Sequence, residues 1–358
     1  MMASASLLVL LALQQATLIF TERYGAAFEE AKIRNVPVLI MDFDGWDGDL
    51  VGAFSQFAKD KGLIRAANLA VLIGSSQYVQ GEKKQIVEGE ERTVCKLFDS
   101  VSPGRAERMK AEVFRDFAVD GILKSPLFLV AFPDKKVYER MLEETEPSAV
   151  TSSLVRCQKK MGPGMPRSDY VTMVRGLERL QRMVAQKDWS QAVPVAEQLL
   201  QIPGSFPPHE QLKGLVARIQ EEEQRLLAAA EQLWQDGKHW ESLVELDRVK
   251  SQFGTGQGAR QAAEQLKVRA ATVEGKSLAA RLKAHQQARA MYQEALDLER
   301  AGDVRKSLQK LHKVVQQFPD SEFGGRAQGL IPALEEQVKK AGAKSTVGDQ
   351  GQKPDKKP

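Results

Sequence analysis

The sequence predicts an α/β domain followed by an all-α array of helical hairpins, and three observations carry that prediction. Up to Gly162, continuous apolar runs of strand length alternate with stretches of helical periodicity. A Gly/Pro stretch, GPGMPRS, then interrupts the chain. Beyond it the apolar pattern is helical and repeats itself. The expected boundaries are a leader over 1–20, the α/β domain over 22–162, a linker over 163–168, the helical array over 169–340, and a disordered tail over 341–358.

The totals agree with two domains. A chain of 358 residues can bury two cores of ordinary size. Its 42% hydrophobic and 27% charged residues suit a helix-rich globular protein and exclude a disordered or fibrous one. The net charge is only +4, and Lys and Arg alternate with Asp and Glu along nearly every segment. A nucleic-acid binder would concentrate positive charge on one face, so that class is set aside.

The N-terminus, MMASASLLVLLALQQATLIF, carries an apolar core from Leu7 to Leu13. That core is too short for a stable membrane span and has the length of a secretory h-region. No Lys or Arg precedes it, and a cut after Ala16 would put Gln14 where a small residue is preferred. Export to a periplasm, envelope or extracellular space is expected; without cleavage the segment is an N-terminal helix of a cytoplasmic protein.

In YGAAFEEAKIRN, Ala and Phe recur at helical spacing, and the helix stops at Asn35 before the strand VPVLIMDF. Helical periodicity returns from about Asp49 to Lys61, and NLAVLIGSS (Asn68 to Ser76) reads as a buried parallel strand. The charged stretch from Gln77 to Asp120 is expected to lay helices over the sheet. SPLFLVAFPDKKVYERM reads as a hairpin with an Asp-Lys turn, opening at Pro126. SAVTSSLVRCQKKMG closes the domain as a helix stopped by Gly162.

In the second half, an offset of 65 places Gly237 on Gly302, Ala230 on Ala295, Leu233 on Leu298, Ser242 on Ser307, Leu243 on Leu308, Leu246 on Leu311, Val249 on Val314 and Phe253 on Phe318. A weaker copy holds Ala192, Ala196 and Leu199. Each copy reads helix, tight turn, helix, a unit that must stack on its neighbours to bury its apolar stripe. The stretch Ala295 to Ala327 resembles a tetratricopeptide repeat, with Gly302 in the turn, Ala295 and Ser307 where helices touch, and Pro319 after the second helix. The spacing departs from a strict array, so the array is tetratricopeptide-like. Trp189, Trp234 and Trp240 are expected to pack between hairpins, and His239, His285 and His312 to lie on solvated helix faces.

The stretch with chemical content is VLIMDFDGWDGD, Val38 to Asp49. A calcium loop fails on register, because the fifth ligand position falls on Trp46 or Val51. LIMDFDG resembles the first motif of haloacid-dehalogenase-type phosphotransferases, in which Asp42 would attack phosphorus and Asp44 would protonate the leaving group. That chemistry also needs a Lys and a further acidic pair at later strand ends; FPDKK supplies no such pair.

The segment AAFEEAKIRNVPVLIMDFDGWDGDLVGAF also resembles the first half of a thioredoxin-like domain, and GILKSPLFLVAFPDKKV its later half, where a Ser/Thr-Pro opens a hairpin through a cis bond. The resemblance covers about Tyr24 to Met161. It implies that Trp46 takes the tryptophan position, Asp47 that of the attacking cysteine, Leu50 that of the resolving cysteine, Asp42 that of the buried acid, and Pro126 that of the cis-proline. A carboxylate has no sulfur for a mixed disulfide, so Asp47 or Asp49 would cap the following helix. The two cysteines, Cys95 and Cys157, belong to no CxxC pair; they read as buried thiols, with a bridge between them as the alternative in an exported chain and a lone reactive Cys95 as the redox alternative.

The resulting expectation is a redox-inactive, non-catalytic binding or scaffold protein. Trp46, Asp47, Asp49, Ser125 and Pro126 form its contact surface, a protein or peptide is its partner, and no cofactor or metal is called for.

Overall fold

A computed structural model describes residues 18–43, 48–77, 82–87, 90–95, 98, 100–142 and 145–347. The side chains of 48–53, 82, 85–87, 90 and 341–347 lie outside that description. The chain packs as two compact units: residues up to Ala185 with Val195–Val216, and Gln186–Pro194 with the residues from Ala217 onward.

The first unit is α/β. Helix α1 (Tyr24–Arg34) ends where Asn35 turns left-handed at φ 53°, a conformation Asn tolerates because its short amide bonds locally. Here the amide reaches the carbonyls of Met161 and Pro163. Strand β1 (Val38–Asp42) follows, then α2 (Gly48–Lys59), α3 (Lys61–Ala67) and β2 (Val71–Ser75). Asp60 caps α3 by accepting from the Leu63 N–H at 2.6 Å.

A separate antiparallel pair, β3 (Glu82–Val87) and β4 (Glu90–Cys95), precedes α4 (Pro103–Phe117). Its first part corrects the expectation of helices across 77–120. So many residues of this hairpin are charged that no period-two signal stands out, and among the described side chains of β4 only Val94 and Cys95 are buried. Strands β5 (Leu127–Ala131) and β6 (Val137–Met141) and helix α5 (Pro147–Met161) complete the order.

The main sheet has the order β2-β1-β5-β6, with β1 parallel to β2 and antiparallel to β5. Strands β1, β2 and β5 are buried along their whole length, which is why the sequence shows unbroken apolar runs there; β6 is an edge and more exposed. Aromatic rings fix the core below the end of β1: Phe43 meets Phe54 and Phe128 edge-on, each at 5.3 Å.

The Gly/Pro stretch is built into this unit. Met165 is buried, its N–H donates to the Arg34 carbonyl at 2.7 Å, and the enclosed Arg34 guanidinium donates back to the Met165 carbonyl and to that of Asn68. Helix α6 (Arg167–Gln186) continues from it, followed by α7 (Trp189–Leu200) and α8 (Pro207–Gln235).

The second unit is helical. Beyond α8 come α9 (His239–Phe253), α10 (Gln257–Ala270), α11 (Val273–Arg300), α12 (Val304–Gln317) and α13 (Glu322–Val347). The repeat read from the sequence reappears in atomic detail. Gly237 and Gly302 both take positive φ, 76° and 82°. The N–H of Gly237 bonds Trp234 O and that of Lys238 bonds Leu233 O; 65 residues on, Gly302 bonds Glu299 O and Asp303 bonds Leu298 O. This is the Schellman closure, which satisfies the last carbonyls of α8 and α11 in the same way. Ala230 and Ala295, Ser242 and Ser307, Leu246 and Leu311, and Val249 and Val314 are all fully buried.

His285 corrects its assignment to a solvated face. It is buried between Trp240 and Phe323, because α11 is long enough to carry it under both neighbouring helices. Trp189 packs in the core, stacked on Phe253. Helix α13 runs on to Val347, past the expected end of the array at Lys340; KKAGAK is rich in good helix formers. Among the described residues no helix is long and apolar enough to cross a membrane.

Candidate functional site at the end of the central strand

Strand β1 runs through the middle of the sheet and ends in a carboxylate. Asp42 pairs in register with Ser75 of β2 on one side and Leu127 of β5 on the other, and is fully buried. A buried carboxylate must find donors and a counter-charge. Ser75 Oγ donates to Asp42 Oδ1 at 2.5 Å, and Lys110 Nζ, from α4, donates to Oδ2 at 2.5 Å. The Lys110 side chain is 12% exposed, so the pair sits at the boundary of the core.

The residue before the hairpin closes the other side. Ser125 Oγ donates to the Asp42 carbonyl at 3.3 Å, and the Ser125–Pro126 peptide bond is cis. Phe43 N–H donates to Ser75 O at 3.0 Å, holding the chain at the point where it leaves the sheet. The structure therefore brings together Asp42, Ser75, Lys110 and Ser125-Pro126 at one strand end, with α2 beginning shortly beyond, at Gly48. Asp49 falls in the first turn of α2. Trp46, Asp47 and Asp44 lie outside the described residues, as does the side chain of Asp49.

Lys110 and Ser75 were missed in the sequence. Both left a signal: Ser75 ends an apolar strand, and Lys110 is next to Met109 on the buried face formed by Ala106, Met109, Val113 and Phe117. A lysine against an apolar stripe invites the question of what it neutralises.

A second feature is apolar and exposed. Val119 and Ile122 pair across a tight turn in which Asp120 and Gly121 both have positive φ, a type I′ geometry that Asp-Gly favours. Their side chains are 55% and 60% exposed, and with Phe114 at 43% they give the segment entering Ser125-Pro126 an apolar surface. The Asp-Gly dipeptide was the available sequence signal.

The cysteines stand elsewhere. Cys95 and Cys157 are enclosed in the core and neither forms a disulfide. Burial pushes the Cys157 thiol up to about 11, so it is protonated and unreactive at neutral pH. Cys95 has no exposed surface for a reagent or partner to reach. Among the described residues no three His, Cys, Asp or Glu side chains group as a metal site would require.

Chemically, the arrangement at β1 is a neutralised charge beside an apolar, strand-opening loop. A search of protein families finds no model that matches the chain, and no curated protein matches it significantly.

Proposed function

We propose that this chain is a non-catalytic binding protein: a redox-inactive thioredoxin-like module carrying a tetratricopeptide-like helical array, with an extended polypeptide as its ligand. The observation that carries the reading is the sheet order β2-β1-β5-β6, with the Ser125–Pro126 cis bond placed against the end of β1. This is the arrangement implied by the resemblance of Tyr24 to Met161 to thioredoxin-like domains. The segment that would carry the redox cysteines contains none, and both thiols of the chain are buried elsewhere. Val119 and Ile122 offer apolar contacts beside the loop, where an extended ligand would add main-chain hydrogen bonds. The matching turns at Gly237 and Gly302 support the reading of the second unit as stacked hairpins that present a surface to peptide segments. The leader-like apolar run Leu7 to Leu13 supports an exported setting for this activity, whereas Leu18 and Phe20, at the end of the expected leader, belong to the buried core of the α/β unit, with Phe20 bridged to Leu72 of β2.

The phosphotransferase reading gains a lysine, Lys110, but loses its nucleophile. Both Asp42 oxygens are engaged and the residue is fully buried, so neither oxygen can approach phosphorus without breaking the ion pair. The carboxylate is held by Lys110 and Ser75, and among the described residues no three His, Cys, Asp or Glu side chains group as the magnesium cluster of that chemistry would require.

The test is the fluorescence anisotropy of a labelled, reduced and carboxymethylated polypeptide titrated with the full chain. Saturable binding is expected, weakened about tenfold or more by Ile122→Asp, which sets a charge in an apolar contact. Absence of saturation, or equal binding by the variant, would defeat the assignment of this surface.

A further inference from the structure

In the α/β unit an open depression of about 410 Å³ lies where the start of α1 meets the first turns of α4. Arg23, just before α1, and Arg105 and Arg108 of α4 line it, and all three are exposed. Among the described residues none of the three guanidinium groups enters an ion pair or a hydrogen bond. Arg34, Arg156, Arg225, Arg269 and Arg289, by contrast, each hold a carboxylate. Three rigid forks gathered at one concavity with no carboxylate bound to them make a concentration of unused anion donors.

The surroundings favour a compact anion. Glu22 and Glu112 also line the depression, but Glu22 Oε1 already accepts from the Ser102 N–H at 3.2 Å and so is committed to the backbone ahead of α4. These carboxylates would repel an extended polyanion while leaving one positive charge in excess among the lining side chains. Nothing lies within 4 Å of where a side chain would sit at Gly25 or Gly104, so the backbone at both helix starts is open to close approach.

We propose that this depression binds the phosphate dianion of a small phosphomonoester. A phosphate presents three equivalent oxygens to three guanidinium groups, whereas a carboxylate would saturate one fork. The volume is in the range of small-molecule sites.

The experiment titrates glycerol 1-phosphate, inorganic phosphate and, as a control, glycerol into the full chain by calorimetry at fixed ionic strength. A parallel arm measures sedimentation with phosphatidic acid vesicles. Saturable binding of glycerol 1-phosphate is expected, stronger at pH 8 than at pH 5.5, because the second phosphate ionisation falls near pH 6. The double variant Arg105→Gln, Arg108→Gln should weaken it roughly tenfold to a hundredfold, as loss of charge-assisted hydrogen bonds does. The double variant Arg179→Gln, Arg182→Gln on α6 removes the same charge from another exposed place and should leave binding unchanged. The proposal is overturned by an absence of saturation with either soluble phosphate, by equal weakening in both double variants, or by binding confined to the vesicles.

Discussion

Charge is buried differently at the end of β1, in the α/β unit, and along the helices of the second unit. In the α/β unit the buried carboxylate of Asp42 is met by Lys110 and Ser75 at a single strand end, where Ser125 donates to the Asp42 backbone carbonyl beside a loop with an exposed apolar surface. In the helical unit buried polar groups are spread along the helix contacts, and several of them close a local demand. Arg269 and Ser242 both donate to the Ala230 carbonyl near the end of α8, and Arg269 also pairs with Glu231. Asp247 of α9 pairs with Arg289 and accepts from Gln286 at 2.8 Å, both on α11. Glu223 accepts from the Gly258 N–H at the start of α10. Dispersed polar groups of this kind hold helices together; the polar group at the end of β1 is concentrated on one strand end, where the proposed ligand surface lies.

The contrast can be broken at its strongest point first. Lys110→Met alone leaves the Asp42 carboxylate buried without its cation and should destabilise the α/β unit by about 3–5 kcal/mol. Asp42→Leu combined with Lys110→Met removes both charges and should return to within about 1–2 kcal/mol of the native chain. Urea unfolding followed by circular dichroism reads both. If the single and double variants lose the same stability, the pair is not the counter-charge unit described here.

A smaller effect separates the two copies of the repeat. Ser242 donates to Ala230 O at 2.7 Å and also meets Arg269, whereas Ser307, equally buried, has no hydrogen-bond partner among the described residues. The position matching Arg269 is Leu334. Ser242→Ala should therefore cost about 1–2 kcal/mol, and Ser307→Ala should be neutral or stabilising by up to about 1 kcal/mol, since it removes a desolvated hydroxyl. Thermal unfolding of the two variants side by side checks the difference; equal losses would mean that the polar network adds nothing to the apolar repeat.

The smallest effect is on pH dependence. Burial between Trp240 and Phe323 holds the His285 imidazole below its usual range, Arg289 and Arg281 nearby acting in the same direction and Asp247 and Glu322 against it. The unfolded chain therefore takes up this proton more readily than the folded one, so the contribution of His285 is present above the ordinary histidine value and is lost as pH falls through it. The unfolding midpoint should drop between pH 7 and pH 5, and His285→Phe should reduce that drop. An unchanged pH profile in the variant would remove His285 as its source.

Much of this architecture was legible in the residues. The unbroken runs at Val38–Asp42, Val71–Ser75 and Leu127–Ala131 announce strands covered on both faces, and Gly237 and Gly302 stand in turns because only glycine takes their φ at little cost. The hairpin of β3 and β4 was illegible because every register pair there includes a charged residue and no periodic apolar face results. The partners of Asp42 were hidden for another reason. Ser75 and Lys110 lie 33 and 68 residues from it, and only the parallel register of β1 with β2 and the packing of α4 bring them within 2.5 Å. Periodicity reports which residues face inward; it carries no information on which inward-facing charges meet.

The central claim is that the end of β1 holds a ligand and transforms nothing. The most direct measurement is the rate of insulin disulfide reduction by dithiothreitol with and without the full chain at stoichiometric concentration. The account predicts the uncatalysed rate, unchanged by Cys95→Ser or Cys157→Ser. A faster rate that falls when either cysteine is replaced would contradict it.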